Sequence, residues 1–441
     1  MRHVHARYEH LAAALCLLGL CSFGPGCGGT TSRPPGDPGA VGTGGVAAST
    51  GTNTSPSKQE DPAAGAAARA LRTANTRFAF DLMGRLDKET AENANVFVSP
   101  SSVASALALV YNGTGGETRA GVGKTLHADK IALEQFNASS AALRAALAAS
   151  QDQQVQISIA NALWAGEGIT LAPDFLERTR RFYDAEAATL NFASPSALET
   201  INKWVSEKTN KKIETLFSSD ELHNATSVLA NAVYFKGKWT EPFDRDATRD
   251  GQFTLADGKK KTLPMMSRTG NYRHLRGEGF QALSLPYGKG AYRMIVVLPD
   301  PASDLKTLAA GLTADKWEGW MEKLEAAPET RLMVTLPRFK VAYEASLNSP
   351  LSDLGMAAAF GPGADFSPMG LSGHWLSLVK HKAVMEVNEE GTEAAAVTGG
   401  VTVVSMPPAF TVDRPFLCAI RHDATGTNLF LGAIRNPEPS S

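Results

Sequence analysis

The sequence predicts an α+β fold, and three observations carry that prediction. Helical periodicity dominates the first third of the chain, as in Phe78-Ala-Phe-Asp-Leu-Met-Gly-Arg-Leu86 and the alanine-rich residues 141–150. Strand patterns then alternate with helices to the end, an order that favours α+β over a parallel α/β sheet. Hydrophobic content is 43%, so the roughly 370 residues beyond the N-terminal region can bury one large core. No internal repeat is visible.

Taken in order, the N-terminus reads as an export signal. Residues 1–10 are polar and basic, residues 11–20 are apolar, and a Gly/Pro/Ser-rich stretch follows. That layout is a secretory signal, too short to span a bilayer. Gly24-Pro25-Gly26-Cys27 places a cysteine after a small residue, as a bacterial lipoprotein processing site does, with glycine three positions earlier where leucine is usual. Residues 1–27 are therefore expected to be a signal peptide of lipoprotein type, lipidated at Cys27; cleavage by an ordinary signal peptidase nearby is the alternative. Residues 28–62, rich in Gly, Thr, Ser and Pro, hold no core and read as a flexible tether before a folded domain at 63–438. The mature protein is expected outside the cytosol, in the cell envelope or extracellular space, with a membrane contact only through that anchor. Cys16, Cys21 and Cys27 lie in the signal region; Cys418 alternates with Phe416 and Ile420 along a strand pattern and reads as an inert core thiol.

Several function classes find no support. Net charge is −2 and no basic stripe is interleaved with aromatics, so nucleic acid is not an expected partner. Lys259-Lys260-Lys261 follows Ala256-Asp257-Gly258 and reads as a solvated hairpin tip. Gly121-Val-Gly123-Lys124-Thr125 ends like a phosphate-binding loop, but Thr118 stands where its first glycine is required. No Gly-x-Ser-x-Gly elbow, His-Glu-x-x-His or paired-cysteine spacing occurs, so neither cofactor nor metal is expected.

The chemistry-bearing stretch lies near the C-terminus, at Glu389-Glu390-Gly391-Thr392-Glu393-Ala394-Ala395-Ala396-Val397. Residues 392–400 carry no large apolar side chain, yet they lead into the β-prone Val401-Thr402-Val403-Val404. As a strand, this segment would put Thr392, Ala394, Ala396, Thr398 and Gly400 on one small, uncharged face and its only charge, Glu393, on the other. Such a face suits a strand that inserts late between strands already packed. After Pro407-Pro408, Phe410-Thr-Val-Asp-Arg414-Pro415-Phe416-Leu417 and Asn428-Leu-Phe-Leu-Gly432 read as buried strands around a polar turn at residues 423–427.

Here the sequence resembles the serpins, a family of serine protease inhibitors. The hinge Glu-Glu-Gly-Thr-Glu-Ala-Ala-Ala and Asp413-Arg-Pro-Phe-Leu417 are similar to that family's signatures. So are Asn95-Val-Phe-Val-Ser99-Pro100-Ser-Ser102, Asn231-Ala-Val-Tyr-Phe235-Lys-Gly-Lys-Trp239, Leu285-Pro-Tyr287 with Met294-Ile-Val-Val-Leu-Pro299, and Leu336-Pro-Arg338-Phe-Lys340. Ser99-Pro100 before an apolar-periodic run is also an ordinary helix start. The resemblance spans residues 65–438. It implies three β-sheets, a large central sheet A, about eight or nine helices and an exposed reactive-centre loop at about 389–408.

The resemblance also implies a mechanism and a set of residues. A target serine protease, or alternatively a cysteine protease, would attack the loop, and the cleaved loop would insert into sheet A, trapping the protease as a covalent 1:1 acyl-enzyme complex. The inhibitor would be a monomer, able to form loop–sheet polymers, and not itself an enzyme. Ser99, Ser102, Asn231 and His381, which could be imagined as a hydrolytic set, fall instead in the shutter beneath the opening sheet, and Trp239 near the breach where the hinge first enters. Glu389 and Arg338 are expected to form an ion pair near the top of the sheet. Residues 136–150 carry one arginine, so activation by a polyanion on that helix is not expected. Counting back from Pro407-Pro408 puts the reactive bond at Val404-Ser405; counting forward from Gly391 puts it at Ser405-Met406. Val404 before the bond suits elastase-like pockets, with subtilisin- and chymotrypsin-like enzymes as further targets. A non-inhibitory serpin serving as a binding or structural protein is the alternative.

Overall fold

Hydrogen-bonded sheets form the frame, and the chain supplies their strands in alternation with helices. The computed structural model describes residues 62–390 and 406–440, so Cys27, the tether, and residues 391–405 of the loop lie outside the described residues. All described residues belong to one unit, Gln59–Ser441.

The first half of the chain runs α1 (Pro62–Glu89), β1 (Val96–Val98), α2 (Pro100–Gly113), α3 (Gly116–Thr125), α4 (Leu133–Ala149) and β2 (Val155–Gly166). It continues through α5 (Pro173–Arg178), β3 (Glu186–Leu190), α6 (Pro195–Lys208), α7 (Ser219–Leu222) and β4 (Ser227–Gly237). Next come β5 (Arg249–Thr254), β6 (Lys260–Gly277), β7 (Phe280–Tyr287), β8 (Tyr292–Pro299), α8 (Leu305–Ala310) and α9 (Ala314–Ala326). The chain closes with β9 (Glu329–Pro337), β10 (Phe339–Ser346), α10 (Asn348–Leu351), β11 (Leu378–Val387), β12 (Ala409–Thr411), β13 (Phe416–His422) and β14 (Thr427–Ile434).

One sheet has five strands in the order β10-β11-β4-β2-β3. The other follows β1-β14-β13-β8-β7-β6-β9-β12, with β5 also on β6. Strand β6 belongs to three ladders, pairing β5 through residues 260–265, β9 through residues 265–273 and β7 through residues 274–277. The three expected sheets are thus present, two of them continuous through one strand. The motif Leu336-Pro-Arg338-Phe-Lys340 straddles a joint: Pro337 ends β9, Phe339 starts β10, and Arg338 sits between them. Gly116 to Thr125, the segment resembling a phosphate loop, is helix α3.

Alternation explains how the five-stranded sheet is covered on both faces. Along β4, Val228, Ala230, Ala232 and Tyr234 pack in the front cluster with Ile201 and Val205 of α6. Leu229, Val233 and Phe235 point backward into the larger cores. Alanines on the front face let α6 lie close; the back face is filled by bulkier side chains, except at Asn161 and Asn231.

A closed seam at the centre of the sheet

The central strands β4 and β11 run parallel through eight registered pairs, Leu378 with Val228 up to Met385 with Phe235. Three groups of side chains tie this seam, one on each face at its middle and one at its upper end.

At the middle, His381 stands opposite Asn231 in register, and both face backward. The Ser99 backbone N–H donates to His381 Nε2 at 3.2 Å, which leaves Nδ1 to donate to Asn231 Oδ1 at 2.5 Å. Asn231 Nδ2 donates to Ser102 Oγ and to Asn161 Oδ1, each at 2.5 Å. His381 is fully buried, and burial depresses its pKa to about 3, so the ring is neutral and fixed in one tautomer. Ser99 caps α2 by position only: its hydroxyl makes no cap bond and has no partner. His381 therefore meets the Ser99 amide and not its hydroxyl, and no nucleophile–base pair exists in this cluster. Asn161 completes the network from β2; its signal in the sequence is a lone amide in the apolar run Ile159-Ala-Asn-Ala-Leu-Trp164.

At the upper end, the chain leaving β4 clasps the chain leaving β11. Trp239 Nε1 donates to the Asn388 carbonyl at 2.8 Å, and the Phe243 N–H to the Glu389 carbonyl at 2.8 Å. Trp239 is held by stacking on Tyr287, with centroids 4.2 Å apart and planes at 12°. Gly237 permits this arrangement, since a Cβ there would come within 2.8 Å of Phe235 and Tyr287. Glu389 is buried and accepts from Thr248 Oγ1 at 2.7 Å; Arg338 Nη1 lies 3.7 Å from the same oxygen. The hydroxyl is thus the closer partner, and the ion pair is the longer contact. Arg245 pairs with Glu390. These residues border an open cavity of about 350 Å³ into which Arg245, Thr248, Arg338, Asn388 and Glu389 project.

On the opposite face at the same level, next to His381, Lys380 faces forward and is 9% exposed in its side chain, bonded to Glu221 at 2.5 Å and Glu344 at 2.9 Å. Burial opposes its charge, but the two carboxylates outweigh that and hold its pKa above the ordinary lysine range. Lys382 Nζ donates to the Thr215 carbonyl at 2.9 Å. Both lysines thereby tie β11 to the chain that precedes β4. Sequence reading missed this group because Glu221 lies 159 residues from Lys380.

Elsewhere, the Asp257–Gly258 turn leaves Lys259 on an exposed tip, paired to Asp257. Cys418 is buried between strands, and burial pushes its thiol up to about 12, so it is unreactive at neutral pH. Among the described residues no group of His, Cys, Asp or Glu has metal-binding geometry, and no helix is long and apolar enough to cross a membrane. Met406 is 80% exposed; Val404 and Ser405 lie outside the described residues.

With a parallel central seam, a small-residue segment following one of its strands, and the shutter cluster beneath, the comparisons decide the family. The model of the Serpin family (serine protease inhibitor) matches residues 73–437. The chain belongs to the serpin family. Human leukocyte elastase inhibitor is 38% identical over 381 residues, covering 83% of this chain and 99% of that protein. The pig leukocyte elastase inhibitor is 37% identical over 380 residues with the same coverage. The crystal structure of uncleaved ovalbumin superposes with a TM-score of 0.77 at 29% identity, covering 83% of this serpin and all of that chain. The architecture is accordingly the serpin fold.

Proposed function

We propose that this serpin is a suicide-substrate inhibitor of serine endopeptidases of the elastase-like class, and not an enzyme. The observation that carries the reading is the parallel β4–β11 seam with Glu389 at its upper end. A segment that continues from Glu390 and doubles back between these strands runs antiparallel to both. One parallel ladder is then replaced by two antiparallel ladders, which are the more stable pairing per residue. The active form is held behind a barrier and lies above the inserted form in free energy.

The loop residues support the same reading. Thr392, Ala394, Ala396, Thr398 and Gly400 offer a face small enough to pass between packed strands. A protease that attacks the bond at Val404-Ser405, or at Ser405-Met406, forms an acyl-enzyme with the loop. Insertion then carries the attached protease to the opposite pole before water completes hydrolysis. The names of the relatives, elastase inhibitors from human and pig, support an elastase-like target, as does a small aliphatic residue at Val404. The same reading has the protein exported and tethered through Cys27 to the cell surface, where such an inhibitor meets extracellular proteases.

Incubation with pancreatic elastase, subtilisin and chymotrypsin tests it. A 1:1 complex that survives denaturing electrophoresis is expected, together with a large rise in the melting temperature of the cleaved protein. Clean cleavage with neither effect would make it a non-inhibitory serpin. Mass spectrometry of the released C-terminal peptide places the bond: a new terminus at Ser405 selects Val404-Ser405, and one at Met406 selects the alternative.

A further inference from the structure

We propose that the groove between the C-terminal part of α1 and helix α8 binds a fatty acid, its chain along the groove and its carboxylate at a lysine on the rim. The proposal stands apart from the inhibitory reading above and is tested without a protease.

The walls come from two helices. Phe80, Met83, Gly84, Asp87 and Lys88 recur at intervals of three and four residues, which puts them on one face of α1. Leu305, Lys306, Ala309 and Ala310 of α8 form the facing wall, and Pro299, Pro415 and Leu417 lie between the two. Together they enclose a cavity of about 1070 Å³, to which α9 contributes no wall among the described residues.

Gly84 shows that the groove is kept open. It sits inside a 28-residue helix, where glycine is the least favourable residue after proline. Packing does not call for it, since a Cβ there would meet nothing within 4 Å. No turn calls for it either, because its backbone is regular helix and not left-handed. Any side chain at this position would project into the groove, and glycine leaves that space free.

Size and charge select the occupant. The cavity lies at the top of the roughly 300–1,000 Å³ range of small-ligand sites, so a single ring would leave most of it empty. An extended acyl chain fills such a groove, and each methylene that leaves water adds to its affinity. Most charged groups around the cavity are already engaged. Asp87 pairs with Arg435 at 2.5 Å, Arg414 pairs with Asp413 at 2.6 Å, and Asp304 accepts from the Thr307 N–H at 2.7 Å as the cap of α8. Lys88 forms no ion pair among the described residues, and Lys306 acts only on its neighbour Asp304, which α8 already holds. Two lysines, one on each wall, thus stand against one uncommitted acid, Glu92. Their aliphatic stems extend the apolar walls while their ammonium groups stay at the water boundary, where the carboxylate of a bound chain would end.

Octanoate, decanoate and dodecanoate titrated into the whole protein by calorimetry, each below its micelle concentration, form the test. Saturable one-site binding is expected, tightening about fivefold or more with each two methylenes added. Gly84→Phe fills the groove from a position with open space, so it should leave the melting temperature unchanged or raised and weaken decanoate by about tenfold or more. The double variant Lys88→Ala/Lys306→Ala should weaken decanoate about fivefold and leave decan-1-ol unaffected. No saturable binding to the parent, an affinity indifferent to chain length, or binding unchanged in Gly84→Phe overturns the site. Equal effects on the acid and the alcohol in the lysine variant overturn the head-group assignment and leave the groove standing.

Discussion

The middle and the upper end of the β4–β11 seam are tied by different physics. At the middle, beside His381 on the opposite face, Lys380 is satisfied: two carboxylates within 2.9 Å, a ring face of Phe217 at 5.8 Å, and 9% exposure. At the upper end Glu389 is buried, but Arg338 reaches it only at 3.7 Å, Arg338 Nε and Asn388 Oδ1 have no partners, and Arg245 is 68% exposed. Local opening occurs where buried contacts are few and polar bonds are open to water. On the proposed mechanism the seam would part from the top, where buried polar atoms lack partners, while the Lys380 group and the His381 network tie the strands at the middle of the register.

The largest test removes the segment's ability to use the weak end. Ala394→Arg puts a guanidinium on the face that, on the proposed mechanism, would pass between packed strands, and is expected to abolish the denaturant-stable protease complex while leaving cleavage intact. Full complex formation by that variant would mean the face is not buried.

The middle of the seam should respond to pH. The unfolded His381 ring takes a proton near pH 6.5 and the folded ring only near 3, so between those values the unfolded chain holds more protons. Stability is then full above about pH 6.5 and falls by roughly 1.4 kcal/mol per unit as pH drops toward 3. His422, whose pKa burial also lowers, adds to the same slope. Denaturant titrations at stepped pH should show a shallower slope in His381→Gln than in the parent; equal slopes would clear this imidazole of the effect.

Two smaller changes compare the clasps directly. Lys380→Ala leaves Glu221 without its cation and Glu344 with Lys382 alone, and is expected to cost about 2 kcal/mol, discounted for the exposure of both carboxylates. Arg245→Ala at the top should cost less than about 1 kcal/mol, because that arginine is largely in water. Equal losses in chemical denaturation would remove the distinction between the two clasps. Glu389→Lys sets a cation beside Arg338 and removes the Thr248 acceptor; faster polymerisation on warming is expected, and an unaltered rate would separate the upper clasp from control of the loop.

How much of this was legible differs by residue. Ser99, Ser102, Asn231 and Trp239 sit in short stretches with a recognisable pattern, and their roles, like that of His381, came from the family resemblance and not from the residues alone. Arg338 was placed near Glu389, but the nearer partner, Thr248, was not visible. Thr248 lies in a polar connector with no periodicity, 141 residues from Glu389. Asn161, Lys380 and Glu221 escaped for the same reason: their roles come from pairing across strands distant in sequence. The exposure of Ile159 also left no trace, because an isoleucine in a strand pattern reads as core.

By itself, then, the chain determined the α+β class and a segment of small residues at 392–400. These are local properties, written in periodicity and side-chain size. Only the tertiary structure decided that β4 and β11 lie side by side and parallel, that the Lys380 and His381 groups meet at the middle of their seam, and that Ile159 of β2 is left exposed. Those facts depend on which distant strands meet and in what register, and neither residue size nor spacing along the chain encodes that directly.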